Sequence, residues 1–220
     1  MCYSSTNLSR VLSNYYPPMK SNSEIRRAAF DLLQGQWGSG IAVVVITFVF
    51  SAMASGVAYE YSGIQLLINL LLIAPLSFGV TFHFLRWVKT GTGEGPKGMW
   101  DGFTQTYYKQ VVILALLKTI YIFLWSLLLI VPGIIKSYSY AMASYILAEN
   151  PEISGEEAIC RSMRMMEGYK MKLFLMDLGR IGLIILSLPL LCIPMLWICP
   201  YYATAFAKFY TELKAETGEK

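Results

Sequence analysis

The stretch PGIIKSYSYAMASYILAENP, residues 132–151, decides the predicted fold of this chain. A proline, which breaks helices, stands at each end, and the residues between favour a helix. The charged side chains between the prolines are Lys136 and, near the far end, Glu149. Small side chains recur on one face of the implied helix, at Ser137, Ala141, Ser144 and Ala148. Membrane helices have such faces where two backbones approach closely, so the stretch predicts a membrane-spanning helix packed inside a bundle.

The composition of the whole chain extends this prediction. Hydrophobic residues make up 55% of the 220 residues. Charged residues make up 15%, against roughly 25% in an ordinary soluble domain. The apolar residues gather into long runs, at residues 41–58, 64–85, 111–131 and 181–202. Because a helix needs about 20 residues to cross about 30 Å of hydrocarbon, runs of this length predict several membrane spans.

The predicted fold class is all-α: a polytopic helical membrane bundle with six transmembrane helices arranged as three hairpins. The six spans are expected at residues 38–58, 64–88, 110–130, 132–150, 170–189 and 194–213. Short amphipathic surface helices accompany the hairpins, at residues 21–36, 100–108 and 154–168. The single transmembrane domain covers residues 19–214, between a disordered N-terminal extension at 1–18 and a polar tail at 215–220.

Two of the surface helices begin with the same capping pattern. Ser21 and Glu24 have the S-x-x-E spacing of a capping box, and Ser154 and Glu157 repeat it. The first of these helices places apolar residues on one face and charged residues on the other, a pattern typical of a helix lying along a membrane surface. Membrane lipids are therefore the predicted partners.

Lysine and arginine fall on one side of the predicted bundle. Outside the spans they occupy the segments assigned to the inner side, whereas the three predicted outer turns contain neither. The positive-inside rule then places the protein in the cytoplasmic (inner) membrane with both termini in the cytoplasm. The net charge of +4 is assigned to this orientation and to attraction for anionic lipids. No nucleic acid partner is expected, because no basic stripe with interleaved aromatics lies in a soluble domain.

Four ionisable residues inside the predicted spans are the candidate binding residues: Lys118, Lys136, Asp177 and Arg180. Each charge costs about 2.5–3.5 kcal/mol at membrane depth unless it is paired or hydrated. Lys118 and Asp177 are expected at equal depth and could pair, and Arg180 lies one turn from Asp177 and could share its carboxylate. Lys136 is placed near the outer end of its span, where its ammonium group can reach the interface.

Two interpretations of these residues stay open. In the first they form a proton-linked or ion-linked site, or a site for a lipid headgroup. In the second they hold the helices together and anchor them at the interface. A cavity that reaches Asp177 would favour transport, and a closed bundle with a basic inner rim would favour a scaffold or sensor.

The sequence contains no catalytic motif, cofactor motif or metal-ligand spacing. A nucleophile elbow, an HExxH helix motif and a Walker loop are all missing. The glycine-rich segment at residues 90–98 follows no strand and is predicted to be a flexible inner loop. The one histidine, His83, has no second candidate ligand beside it, and the four cysteines are expected to be unpaired. We therefore expect a non-enzymatic protein without cofactor or metal.

The sequence resembles a bacterial integral-membrane family known as domain of unknown function 975. The resemblance is carried by residues 132–163, by MKLFLMDL at 171–178, by PYYATAFAKFYTELK at 200–214, and by an N-terminal helix ending in Gly35 and Trp37. It implies a polytopic membrane protein and supplies no activity or site residue. More distantly the chain is similar to the membrane domain attached to some glycerophosphodiester phosphodiesterases, which implies work close to lipids.

Three functions are consistent with these observations. The first is a lipid-interacting scaffold or sensor that acts through the surface helices and the basic inner loops. The second is a small transporter or lipid translocator that uses the region of Asp177. The third is a membrane-embedded lipid-modifying enzyme. The sequence leaves open whether a second copy of the chain or another membrane protein is a partner.

Overall fold

The computed structural model describes residues 19–57, 62–93, 95–128, 130–190 and 193–218. These residues form helices joined by turns and contain no strand, so the all-α prediction is confirmed. The predicted N-terminal extension, residues 1–18, lies outside the described residues.

The first half of the chain forms five α-helices in the described residues, α1 Asn22–Leu33, α2 Trp37–Val57, α3 Ser62–Ile68, α4 Ala74–Thr90 and α5 Gln105–Leu128. A π-helical turn, Asn69–Ile73, joins α3 to α4, and a 3-10 helix, Pro96–Phe103, lies between α4 and α5. The second half forms α6 Ile130–Ser139, α7 Ala143–Glu149, α8 Gly155–Met165, α9 Lys170–Ser187 and α10 Met195–Thr217. A short 3-10 helix, Leu188–Leu190, follows α9.

Three stretches of the described residues are long and apolar enough to cross a membrane: Trp37–Ala54, Gln65–Thr90 and Gln105–Leu127. They fall in α2, in the α3–α4 unit and in α5, where the sequence predicts the first three spans. The prediction of six spans is not confirmed. The helix α9 has 18 residues but contains four charged side chains, and α6 and α7 have 10 and 7 residues. Helix pairs α2–α3, α5–α6 and α9–α10 do contact each other, as three hairpins require.

The quoted stretch is two helices rather than the single predicted one. A turn at residues 140–142 separates α6 from α7. The cause is Ser162 on α8, which is fully buried against this turn. Its hydroxyl donates to the backbone oxygen of Ser139 over 2.8 Å and accepts from the backbone N–H of Met142 over 3.2 Å. A side chain inserted into the backbone ladder in this way interrupts a helix, so the prediction of one continuous span is wrong.

The capping predictions for α1 and α8 are confirmed. Ser21 and Glu24 form a capping box, and the Ser154 side chain accepts a hydrogen bond from the backbone N–H of Glu157. The apolar faces of both helices are nevertheless covered by protein. In α1 the buried residues are Ile25, Ala29 and Leu33, and this helix packs mainly on α10. In α8 they include Ala158, Ile159 and Met165, and this helix packs on α5 and α7. These faces are therefore unavailable to a membrane surface.

The glycine-rich linker is folded from Pro96 onward, where the sequence predicts first a flexible loop and then a surface helix. The 3-10 helix runs antiparallel along α4 at backbone contact. A Cβ atom on Gly79 would lie 1.7 Å from the backbone oxygen of Met99, and one on Gly102 would lie 2.0 Å from that of Pro75. Only glycine fits at both positions, which fixes this segment against α4.

The buried core surrounds α7 and joins it to α1, α4, α5, α8, α9 and α10. Large apolar side chains away from this core remain exposed, such as Phe48 on α2 at 70% and Leu127 on α5 at 74%. Exposed apolar side chains along candidate spans are compatible with a membrane protein.

The cysteines differ from the expectation. Cys199 carries a free thiol, but Cys160 on α8 is disulfide-bonded. The prediction that the cysteines are unpaired is therefore wrong for Cys160. Pairing depends on proximity in space, which the spacing of cysteines along a chain does not reveal.

Candidate functional site

A cleft of about 360 Å³ lies where α4, α6, α7, α9 and α10 meet. Its apolar walls come mainly from Met142, Leu173 and Phe206. Its polar lining residues are Thr81, Ser137, Tyr138, Ser144, Tyr145, Asp177 and Arg180. The volume lies at the lower end of the usual range for small-molecule sites, and seven of the eleven lining residues carry polar groups that could bind a ligand.

Asp177 and Arg180 lie one turn apart on α9 and form an ion pair at the cleft. The Nη2 atom of Arg180 lies 2.6 Å from Oδ1 of Asp177. The other carboxylate oxygen, Oδ2, accepts a 2.8 Å hydrogen bond from the hydroxyl of Tyr138 on α6. The Asp177 side chain is 14% exposed and the Arg180 side chain 41%, so the pair is reached from the arginine side.

Both members of this pair keep hydrogen-bonding capacity. Oδ1 of Asp177 and Nε of Arg180 are buried atoms without a hydrogen-bond partner among the described residues. The 2.6 Å contact between the side chains is thus a charge contact in which no N–H points at Oδ1 with favourable geometry. The Cζ atom of Arg180 also lies 5.3 Å from the ring centroid of Phe206, within cation–π distance. An acceptor and a donor therefore stand side by side, unsatisfied, next to the cleft.

Two hydroxyl groups that line the cleft present hydrogen-bond acceptors. Ser137 donates its hydroxyl hydrogen to the backbone oxygen of Ile134 over 2.7 Å, and Thr81 donates to that of Ser77 over 3.0 Å. Each hydroxyl oxygen keeps lone pairs for a further donor. Together with the Asp177 carboxylate, this part of the cleft favours a ligand group that donates hydrogen bonds.

The face of small side chains in the quoted stretch lines this cleft. Ser137, Ala141 and Ser144 are all lining residues, and Ala148, the fourth member, is buried in the core. The sequence interprets this face as a place where two helices approach. Because the turn at residues 140–142 lies in the middle of the face, small side chains leave open space there instead.

The structure brings two of the four predicted binding residues together. Asp177 pairs with Arg180, one of the two partners that the sequence names for it. Lys118 forms no ion pair with Asp177, and no hydrogen bond or ion pair with any other described residue. Lys136 lies with its Nζ atom 4.8 Å from the ring centroid of Trp125, where its charge is held by an aromatic face. Lys118 and Lys136 do not line the cleft.

A second charged cluster, centred on Glu149, is not among the predicted sites. The Glu149 side chain is 7% exposed at the end of α7. Its Oε2 atom accepts hydrogen bonds from Lys214 Nζ and, over 2.8 Å, from the Tyr210 hydroxyl, both on α10. Its Oε1 atom pairs with Lys89 of α4. Burial pushes the pKa of Glu149 up, but the hydrogen bonds from Lys214, Lys89 and Tyr210 hold it below its usual range.

The sequence offers one signal for this cluster. Glu149 is a carboxylate at the end of an otherwise apolar helix, and such a group needs a cationic partner if it is buried. The partners themselves lie on α4 and α10, far away in the chain, so spacing could not name them.

Comparison with known proteins gives one match. The family model described as "Protein of unknown function (DUF975)" matches residues 19–139 and 127–217. No curated protein and no solved structure matches the chain.

Proposed function

We propose that this chain, which belongs to the DUF975 family, is an integral membrane protein that binds a small charged ligand in the cleft beside Asp177 and Arg180. The observation that carries the proposal is the unsatisfied pair itself. Buried polar atoms without partners cost about 1–3 kcal/mol each, and most proteins avoid them. A ligand in the cleft removes this cost when it forms hydrogen bonds with the two atoms.

Movement of the ligand across the membrane is the form of this function that we favour. The turn at residues 140–142 interrupts a helix next to the cleft, and Met142 of that turn lines it. Interrupted helices beside a substrate site are typical of transporters. Here the backbone groups of Ser139 and Met142 bond to Ser162, so the turn contributes side chains to the cleft. This is the alternative in which a small transporter or lipid translocator uses the region of Asp177.

Binding without movement, as in a lipid sensor or scaffold, is the second candidate. It is favoured by the Glu149 cluster, which ties α7 to α4 and α10 and opposes large rearrangements beside the cleft. The proposed lipid contact belongs to the cleft rather than to α1 and α8, whose apolar faces pack on protein.

We propose no enzymatic activity for this cleft. A serine nucleophile needs a neighbouring base to accept its proton. Ser137 donates its hydroxyl hydrogen to the backbone of its own helix, and the residues that line the cleft include no histidine.

The proposed location is the cytoplasmic membrane with both termini inside, which requires an even number of spans. Three spans would place the termini on opposite sides, so either one or all three of the α6–α7 unit, α9 and α10 must cross as well. The disulfide at Cys160 opposes this orientation, because disulfides are rare in reducing compartments. Reporter fusions after Gly63, after Gly93 and at the C-terminus test it. A cytoplasmic signal at Gly63, or an outer signal at the C-terminus, would contradict the proposal.

The experiment for the cleft is to identify what binds to the purified protein. The chain is extracted with its native lipid in polymer nanodiscs, and the bound lipids and small molecules are identified by mass spectrometry. Asp177→Asn is compared with Glu157→Gln, which removes a carboxylate from an exposed ion pair on α8. We expect one species to be enriched in the wild type and the control and reduced about tenfold by Asp177→Asn. Identical profiles for all three proteins would contradict the proposal.

Transport and sensing are then separated in reconstituted vesicles that contain the identified ligand. If the ligand crosses the vesicle membrane, and if Asp177→Asn slows this movement while Glu157→Gln does not, the result supports a transporter. Binding without movement leaves the sensor as the function.

A further inference from the structure

We infer that the ligand of the cleft is a zwitterion, a molecule or headgroup with an ammonium group and an oxyanion a few bonds apart. This inference rests on the proposed function and names the chemical class of its ligand.

The charge of the site supports a ligand with both signs. Asp177 and Arg180 neutralise each other at 2.6 Å. An anion approaching Arg180 meets the carboxylate of Asp177 at the same place, and a cation approaching Asp177 meets the guanidinium group. A ligand that carries both charges presents its oxyanion to Arg180 and its ammonium to Asp177, so neither like-charge contact opposes it.

The unsatisfied atoms match the same pair of groups. Nε of Arg180 needs an acceptor and Oδ1 of Asp177 needs a donor. Both atoms are buried in residues that line the cleft, so the inference requires one of the two side chains to rotate when the ligand binds. An oxyanion supplies the acceptor and an ammonium group supplies the donor, which gives two charge-assisted hydrogen bonds.

The other side chains that line the cleft also suit a ligand with an ammonium group and an oxyanion. Ser137 and Thr81 line the cleft, and their hydroxyl oxygens are acceptors for further N–H groups of the ligand. The rings of Tyr138 and Tyr145 also line the cleft, and an aromatic face attracts an ammonium group. Phe206 lies at cation–π distance from Arg180 and holds the donor in place. The volume of about 360 Å³ suits one headgroup or small metabolite rather than a whole lipid.

Two sources supply this chemistry: the ethanolamine phosphate headgroup of a membrane lipid, and a free zwitterion such as an amino acid. The test measures binding to the full chain in detergent by native mass spectrometry. The lipid probes are phosphatidylethanolamine, which is zwitterionic, and phosphatidylglycerol, which is anionic. The soluble probes are phosphoethanolamine and glycine, used as competitors.

We expect the wild type to bind phosphatidylethanolamine or a free zwitterion at least about tenfold more tightly than phosphatidylglycerol, the value of one charge-assisted hydrogen bond. Asp177→Asn should remove this preference and strengthen phosphatidylglycerol binding, because Arg180 then has no competing carboxylate. Glu157→Gln should keep the preference. If Asp177→Asn does not fold, Arg180→Gln tests the site itself, since each probe carries an oxyanion and should bind more weakly, and the preference of the wild type for zwitterions over phosphatidylglycerol tests the inference.

The outcomes separate the inference from the proposed function. If free phosphoethanolamine or glycine displaces the lipid at a concentration lower than that of the lipid, the ligand is a soluble zwitterion. If the lipid binds and neither competitor displaces it, the ligand is the lipid headgroup. If the wild type binds phosphatidylglycerol as tightly as the zwitterions, and Arg180→Gln weakens this binding, the inference is overturned. The cleft then remains a binding site. If no probe binds saturably, both the inference and the proposed function are overturned.

Discussion

Asp177 and Glu149 are both partly or fully buried carboxylates that face cations, yet their surroundings differ. Both oxygens of Glu149 are used, by Lys89 on one side and by Lys214 and Tyr210 on the other. Asp177 has one arginine and one tyrosine, and its Oδ1 atom makes no hydrogen bond among the described residues. The cleft borders Asp177 and does not include Glu149.

This difference separates a structural cluster from a binding site. The partners of Glu149 come from α4 and α10, so the cluster joins three helices and leaves nothing for a ligand to complete. The cationic partner of Asp177 comes from its own helix, and a single hydrogen bond, from Tyr138, joins Asp177 to α6, so this site contributes less to the tertiary fold than the Glu149 cluster does. Substitutions at the two carboxylates should therefore have opposite effects on stability and binding.

The largest expected loss of stability follows Glu149→Gln. The substitution leaves two lysines without their shared carboxylate, and the neutral glutamine, with one acceptor oxygen, can keep only part of the three interactions between helices. Because the Lys89 and Lys214 side chains are 50% and 30% exposed and can turn toward solvent, the loss should stay below that for a fully buried pair, at about 2–3 kcal/mol. Equilibrium unfolding in mild detergent measures it.

Glu157→Gln is the matched control, since Glu157 pairs with Arg161 on the surface of α8. Its expected loss is below about 1 kcal/mol. Equal losses for the two variants would show that the Glu149 cluster is not a structural element.

A smaller loss is expected for Ser162→Ala. Without the hydroxyl, the backbone oxygen of Ser139 and the backbone N–H of Met142 lose their partner at the turn between α6 and α7. Leaving buried polar groups unpaired should cost about 1–3 kcal/mol. Ser162→Cys restores the volume but only weak hydrogen bonding, and it should recover little of the stability. A neutral Ser162→Ala would mean that the turn does not depend on this side chain.

The Glu149 cluster should also make stability depend on pH. The folded pKa of Glu149 is held below its usual range, so its contribution is fully present above the unfolded pKa, about 4.3. The contribution disappears as the pH falls through the folded pKa, because a protonated carboxyl group no longer attracts the two lysines. The difference in unfolding free energy between wild type and Glu149→Gln should therefore be constant near neutral pH and shrink below about pH 4.3. A difference that grows on acidification would contradict the arrangement.

The smallest effect on stability is expected for Asp177→Asn. Asparagine keeps an oxygen for the Tyr138 hydroxyl, and the Arg180 side chain is 41% exposed, so the lost ion pair should cost about 0–1 kcal/mol. The same substitution should reduce ligand binding about tenfold. Unfolding and binding measured on one preparation check both values. A stability loss as large as that of Glu149→Gln would show that Asp177 stabilises the fold in the way that Glu149 does.

The sequence predicts the helices well where one local signal suffices. The caps at Ser21 and Ser154 depend on residues three positions apart, and the first three candidate spans depend on long, mainly apolar runs. The same local signals fail at residues 140–142, because the helix is interrupted by Ser162 from α8. They also fail for α1 and α8, since an amphipathic face looks the same whether lipid or α10 covers it.

For a similar reason, the sequence predicts only part of the candidate site. Asp177 and Arg180 are three positions apart on one helix, so the sequence pairs them correctly. Tyr138 lies 39 positions away, and its hydrogen bond to Asp177 depends on how α6 packs against α9. The sequence matches Lys118 to Asp177 by depth alone, and depth does not say which way a side chain points around its helix.

The most direct test follows the Nε atom of Arg180 itself. Its ¹⁵N resonance, assigned with an Arg180→Lys variant, is recorded while phosphoethanolamine is added to the full chain in detergent. We predict a saturable shift of this resonance, and no shift for Arg161, whose Nε already donates to Glu157 over 3.1 Å. An Arg180 resonance that stays in place, or one that moves no more than that of Arg161, would contradict a ligand site at Asp177 and Arg180.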